Sequence, residues 1–307
     1  MTLVITTCTN RKRKPVSDSL RMSSLPTGEL ADVATAWCAR IEAATSRYAA
    51  EDVYGGRGFQ EALAASELLD ARLLIVSAGV GLIDASTKIP PYACTIVADN
   101  GDSVGSRVAG GATAADWWRA LAERSPFSLS LAGVAAASTG LICAALSDAY
   151  IALLSDDLIA LPPGDLQRLR LFTRTPVARV PEALQPFIMP YDNRLEGPDS
   201  PIKGTRSDFS GRALHHFAKY IHETGDTRSA EHDADAVSAA QDGWRPAAHF
   251  ERIRHDDDAL KALIAEHWVA ANGSGSRLLR IFRDELNIAC EQGRFAGLVR
   301  DIKASMS

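Results

Sequence analysis

Four short apolar segments, separated by stretches with helical spacing, set the tightest limit on what this chain can fold into. Residues 3–8, 73–77, 141–146 and 168–173 have the length of buried strands. Between them, residues 29–47 carry Leu30, Val33, Ala34, Trp37 and Ile41 at helical intervals, and residues 58–69, 117–123 and 148–158 read as further helices. Alternation of this kind predicts the α/β class, a three-layer domain with a mostly parallel central sheet. Ligands of such sheets sit beyond the carboxyl ends of the strands. The segments most informative about function are therefore Thr9-Asn10, residues 77–92 and Ser147-Asp148.

The chain has 307 residues, with 33 Lys+Arg against 38 Asp+Glu and a net charge of -5. That balance excludes a wholly basic nucleic-acid binder but not a DNA enzyme whose cations gather on one face. Cys8, Cys38, Cys94, Cys143 and Cys290 are odd in number and form no CxxC pair, which predicts a reduced cytoplasmic protein without a disulfide framework or zinc ribbon. The apolar start, Leu3-Val4-Ile5, is too short for a signal peptide, and the apolar stretch 131–161 is broken by Ser138, Gly140, Asp148 and Asp156-Asp157. No membrane partner is expected, and nothing in the chain points to an obligate protein partner.

The character changes at Pro190. Residues 190–209 form a long polar stretch rich in Gly and Pro, a type of loop that is often functional, and they feed a helix over 212–224. Residues 225–255 read as an acidic linker or helix, and 256–307 as a small helical, helix-turn-helix-like unit broken at 273–276. The expected organisation is thus 1–224, 225–255 and 256–307, without internal repeats.

The chain lacks a GxxxxGK[ST] loop, a GxSxG elbow and an HExxH helix, and Gly79-Val80-Gly81 reads as a tight turn. All seven histidines follow residue 214 without helical metal-ligand spacing, so no metal is expected. The candidates lie in loops. Asn10 can orient water or a base edge, and the run from Arg11 through Lys12 to Lys14 stands where a phosphate would approach. Tyr54 and Tyr92 follow turn residues and can stack on an extruded base, with Arg57 as a clamp. In the 190–212 loop, Asp192 and Asp208 stand among Arg194, Lys203, Arg206 and Arg212, and Asp208 is also placed as a helix N-cap. Arg277 and Arg280 lie on one side of a C-terminal helix.

Taken together, the strand followed by Thr7-Cys8-Thr9-Asn10-Arg11-Lys12, the Tyr54-Gly-Gly-Arg-Gly-Phe59 segment, Ser77-Ala-Gly-Val-Gly-Leu82 and Pro91-Tyr92 resemble a uracil-DNA-glycosylase-like family related to a domain of archaeosine synthase. The resemblance covers about the first 160 residues. With Pro190-Tyr191-Asp192 and residues 204–209 added, the chain is similar to the anti-phage DNA glycosylases that excise glucosylated hydroxymethylcytosine from phage DNA. It has neither the GQDPYH nor the HPSPLS-like loop of uracil glycosylases, so catalytic residues must be argued from chemistry. The expected activity is a cofactor-free DNA glycosylase that flips a modified base and hydrolyses its N-glycosidic bond, leaving an abasic site.

Asp192 is the expected carboxylate facing the developing sugar cation, and Asn10 the water- or base-orienting group. Tyr54, Arg57, Tyr92, Arg194 and Asp208 would hold the base or its sugar. Arg11, Lys12, Lys203, Arg206, Arg212, Arg277 and Arg280 would contact DNA. A lyase-type enzyme would use a lysine amine, for which Lys203 is the sequence's candidate; simple hydrolysis is the favoured route. The alternative is a non-catalytic nucleic-acid-binding module or an RNA-modification-associated protein.

Overall fold

The apolar run at the start of the chain becomes β1 (Leu3–Thr7), with its first four residues buried. The computed structural model describes residues 1–98, 100–222, 228–248 and 253–306. In it β2 (Arg72–Ser77), β3 (Gly81–Asp84), β4 (Ile142–Ala145) and β5 (Leu169–Phe172) join β1 in a five-stranded sheet of order β3-β2-β1-β4-β5. β1 pairs in parallel with β2 (Leu3 opposite Arg72) and with β4 (Leu3 opposite Ile142), and β4 pairs in parallel with β5. Every residue of β4 and β5 is buried; β4 accordingly reads as a continuous apolar run, while β5 carries Arg170 between Leu169 and Leu171. The α/β class and the mostly parallel sheet follow the expectation.

One strand of this sheet was not expected. After Ser77 the chain reverses and β3 returns antiparallel along β2, with Ser77 opposite Gly81. Gly81 takes φ +89, and a Cβ on Gly79 would overlap the Tyr92 ring. Four residues are too few to show a period of their own, so the sequence gives the turn and not the strand that follows it.

The helices α1 (Leu30–Ala43), α2 (Arg57–Leu68), α3 (Ala114–Arg124), α4 (Asp148–Ile159) and α5 (Phe209–His216) cover the sheet. α2 and α5 pack on each other over β1 and β4, while α3 joins α1 and α4 on the opposite face. No helix among the described residues is long and apolar enough to cross a membrane.

The chain divides into two compact units, Met1–Ala247 and Ala248–Ser307. The boundary expected after residue 224 lies outside the described residues. Helix α6 (Ala230–Ala240), within the stretch read as acidic linker or helix, belongs to the first unit. It is fixed there by a buried ion pair: Arg170 of β5, fully buried, donates through Nε to Asp233 at 2.5 Å and through Nη2 to the Arg228 carbonyl at 2.7 Å. The second unit holds α7 (Asp257–His267), α8 (Gly275–Arg280) and α9 (Gln292–Met306) around Leu260, Ile264, Leu278, Phe282 and Phe295, with Ile253–Arg254 paired in parallel to Ile288–Ala289.

At the end of α5, buried His216 shares a hydrogen bond between its Nδ1 and the Tyr191 hydroxyl at 2.8 Å and stands edge-on to the Tyr191 and Trp244 rings. Burial, with a smaller push from His215, lowers its pKa to about 4. An unfolded histidine titrates near 6.5. Between those values the unfolded chain binds the extra proton, so stability falls as pH drops from about 6.5 toward about 4 and is unaffected by this group above that window. We expect His216→Gln, which can still accept from Tyr191, to flatten urea-unfolding free energies across this window by on the order of 2 kcal/mol. An unchanged slope would assign the acid sensitivity to other groups.

Candidate functional site

The carboxyl end of β1 lies where the winding of the sheet reverses, with β2 on one side and β4 on the other, the place where open α/β sheets accept ligands. Cys8 continues the pairing, donating its N–H to the Val76 carbonyl at 2.9 Å. The next residues turn over the start of α2. Thr9 Oγ1 donates to the Gly55 carbonyl at 2.5 Å, Gly55 N donates to the Arg11 carbonyl at 2.9 Å, and Arg13 N donates to the Val53 carbonyl at 2.9 Å. Lys12 thereby forms an antiparallel bridge with Tyr54. In extended backbone successive side chains point opposite ways, so Lys12 turns inward while Arg11 and Arg13 stay exposed. A charge run that reads as uniform in sequence is split by that alternation into two inner cations, Lys12 and Lys14, and two outer ones, Arg11 and Arg13.

Beneath Lys12 lies a floor of phenols and thiols. Tyr54 and Tyr92 are fully buried; their hydroxyls share a hydrogen bond at 2.7 Å, and Tyr92 is also bonded to Ser77 Oγ. Ser77 Oγ in turn accepts from the Gly79 and Val80 amides at 3.1 and 3.0 Å. Cys8 Sγ meets the Tyr150 hydroxyl at 2.9 Å. Burial pushes the Tyr54, Tyr92 and Tyr150 phenols well above their ordinary range, so they stay neutral. Lys12 Nζ sits 5.0 Å from the Tyr54 ring centre and 4.8 Å from that of Tyr92, and it donates to the Thr9 carbonyl. Burial lowers its pKa from the usual lysine value, opposed by the nearby Cys8 and Cys94 thiols.

The expectation that Tyr54 and Tyr92 stack on a base is corrected here. Neither ring has a free face, because the two hydroxyls and Ser77 satisfy one another in the core. The glycines and prolines beside them signal turns, and turns here lead the aromatic side chains inward.

Above the floor opens a cleft of about 350 Å³, lined by Asn10, Lys12, Lys14, Arg21, Cys94 and Asp102 among others. Asp102 accepts from Ser23 N at 3.1 Å, Ser23 Oγ at 2.6 Å and Arg21 Nη1 at 3.3 Å, which fixes its carboxylate. Of these residues the sequence singled out Asn10 and the basic run. Arg21 and Asp102 lie far apart in the chain and carry no motif; the Asn100-Gly101-Asp102 turn was the available signal. A neighbouring cleft of about 990 Å³ includes Val16, Arg40, Tyr48 and Pro91. There Lys14 Nζ lies 4.9 Å from the centre of the Tyr48 ring, which is 38% exposed and offers the open aromatic face that Tyr54 and Tyr92 do not.

The 190–212 loop is organised by Arg212, which is fully buried. It donates through Nε to Asp208 at 2.5 Å, through Nη1 to the Leu195 and Ile202 carbonyls at 2.8 and 3.2 Å, and through Nη2 to the Thr205 carbonyl at 2.9 Å. Asp208, 4% exposed, also accepts from Thr205 N at 2.8 Å in a capping box. Arg212 therefore reaches no phosphate and Asp208 no sugar, a correction to both expectations: each neutralises the other inside the fold.

Asp192 is exposed and caps the turn Asn193–Glu196, accepting from Arg194 N at 2.8 Å and from Arg194 Nε at 3.0 Å, while Arg194 Nη1 donates to the Gln241 carbonyl at 3.1 Å. Neither residue lines the cleft of Asn10 and Lys12.

The remaining cations gather at the surface. The backbone at Gly55 runs under the Arg11 and Arg13 side chains, and exposed Arg57 follows two residues on. Arg57 pairs with Glu61 at 3.1 Å and donates to the Lys203 carbonyl, which leads into exposed Arg206. Arg11, Arg57, Lys203 and Arg206 thus share one strip of the first unit. Lys203 Nζ itself bonds the Pro198 carbonyl. Arg277 and Arg280 are exposed on α8 of the second unit. Among the described residues no group of three His, Cys, Asp or Glu side chains is placed to hold a metal ion.

Comparison with known protein families, curated proteins and solved structures finds no match to this chain.

Asn can replace Asp208 as a cap but leaves a guanidinium buried without its counter-charge. We expect Asp208→Asn to lower stability by about 3–5 kcal/mol in urea denaturation. A loss well under 1 kcal/mol would mean that the carbonyls alone hold Arg212.

Proposed function

We propose that the chain is a DNA glycosylase that takes one extruded nucleotide into the cleft at the end of β1 and cleaves its N-glycosidic bond. The observation that carries this reading is the joining, in the loop that leaves the carboxyl end of β1, of a cleft of about 350 Å³ containing a fixed carboxylate, Asp102, to an outer strip of cations. Cleavage of the bond develops positive charge on the sugar, which a carboxylate stabilises. In this reading Asp102 takes the role that the sequence suggested for Asp192, and Asn10 orients the attacking water. Lys14 and Arg21 hold the phosphates that flank the extruded nucleotide, and Tyr48 offers its face to a base. The strip from Arg11 to Arg206 follows the DNA backbone. The resemblance noted in the sequence supplies the substrate class, a glucosylated hydroxymethylcytosine of phage DNA, and with it a place in anti-phage defence.

Incubation with normal, hydroxymethylated and glucosylated DNA, followed by mass spectrometry of the released bases, tests the activity. Base release from the glucosylated DNA is expected, and Asp102→Asn should slow it at least about 100-fold while DNA binding persists. Asp192→Asn is expected to retain the rate, since Asn still caps its turn. Binding without base release from any DNA would favour the non-catalytic nucleic-acid-binding module instead.

The strip makes a separate prediction. Charge reversal of Arg11 and Arg57 to Glu should weaken DNA binding and flatten the dependence of log affinity on log salt by about one unit per lost phosphate contact. An unchanged slope would place the DNA elsewhere.

A further inference from the structure

Two cations of the basic run turn inward, Lys14 onto the half-exposed Tyr48 ring and Lys12 over the buried Tyr54 and Tyr92 rings, and a residue meant only to grip phosphate has no need of the position Lys12 takes. Its Nζ is held by the Thr9 carbonyl over two neutral phenol rings, at the wall of the cleft that also contains Asp102. Among the described residues it has no ion-pair partner, whereas Asp102 is engaged by Arg21 and Ser23. An ammonium placed so loses hydration without gaining a carboxylate, and burial accordingly favours the free amine. Free amines in desolvated pockets are the groups that condense with carbonyl carbons. Lys203, the lysine the sequence offered for this chemistry, is exposed and bonded to the Pro198 carbonyl.

We propose that Lys12 is an imine-forming residue that captures the aldehyde of the abasic deoxyribose left in the cleft. The inference rests on the glycosylase reading for the identity of its substrate. In the abasic sugar, the C1′ hemiacetal opens as its hydroxyl proton is lost and the ring oxygen takes up a proton, giving an aldehyde at C1′. The Nζ lone pair attacks C1′, the carbonyl electrons move to oxygen, and a proton passes from the nitrogen to that oxygen to give a neutral carbinolamine. Loss of that hydroxyl with one proton from nitrogen, as water, leaves a C1′=Nζ imine. No redox change occurs. Captured in this way, the sugar stays covalently attached after the base has gone, so the reactive abasic site is shielded until water reverses the step.

The test uses the full chain and a synthetic duplex carrying one abasic deoxyribose, with sodium cyanoborohydride present. The reagent delivers hydride to C1′ of the protonated imine and fixes the link as a secondary amine. We expect a one-to-one protein–DNA adduct from the wild type, and digestion with mass spectrometry should place it on Lys12. Lys12→Arg keeps the charge but not the condensing amine; its adduct should fall at least tenfold, with thermal melting confirming that the variant is folded. A wild-type adduct on another lysine, or none at all, overturns the inference.

Base release from modified DNA is scored separately. Release without capture at Lys12 sinks this inference and leaves the glycosylase reading standing. Capture at Lys12 without release from any DNA sinks that reading while supporting the reactive amine.

Discussion

The position of β1 is the constraint from which the rest follows. Because Leu3–Thr7 is hydrogen-bonded on both edges by parallel neighbours, the chain must wind one way to reach β2 and the opposite way to reach β4 and β5. The loops that leave the carboxyl ends of β1 and β4 therefore diverge, and the space between them is filled by side chains or by a ligand. Here that space is filled by Cys8 and Tyr150, with Tyr54 and Tyr92 beside them, and the open cleft lies between the loop after β1 and residues 93–102. The chemistry of the cleft depends on which side chains close its floor.

Two buried arginines do for the second half of the chain what β1 does for the first. Arg170 ties α6 to the edge of the sheet, and Arg212 gathers the carbonyls of Leu195, Ile202 and Thr205 around the start of α5. Each is neutralised by one aspartate, Asp233 or Asp208, at 2.5 Å. A buried pair of this kind adds little net stability over an apolar pair of the same size, but removing one partner is costly. The long 190–212 loop keeps its course because its carbonyls converge on a single guanidinium, with little repetitive structure of its own.

This also explains what could and could not be read from the sequence. The strands at 3–8, 73–77 and 141–146 were legible because a parallel strand buried on both faces leaves a nearly uninterrupted apolar run, and that at 168–173 by its Leu169, Leu171 and Phe172 in spite of Arg168 and Arg170. The placement of Asn10 and Lys12 at the ligand-bearing edge followed from the same pattern. Burial of polar residues was not legible. Arg212 and Asp208 four residues apart look the same whether they face water or each other, and Tyr54 and Tyr92 beside turn residues look the same whether they are exposed or locked hydroxyl to hydroxyl. Asp102 and Arg21 were missed because their meeting depends on tertiary structure between distant segments. What marks a residue as part of a site here is the set of groups left around it, and a linear sequence states that only through its fold.

The two borders of the sheet have a consequence for how copies of this protein behave toward one another. A strand with an unpaired outer edge is a template for further strands. β3 has only four residues; its Leu82 carbonyl accepts from Leu129 N at 2.7 Å, and its Leu82 amide is taken by Ser128 Oγ at 3.2 Å. On the other border the Leu171 carbonyl accepts from Met189 N at 2.9 Å, within a parallel bridge to Ile188. On both borders the chain's own loops thus occupy backbone groups that a strand of another copy would need in order to pair there.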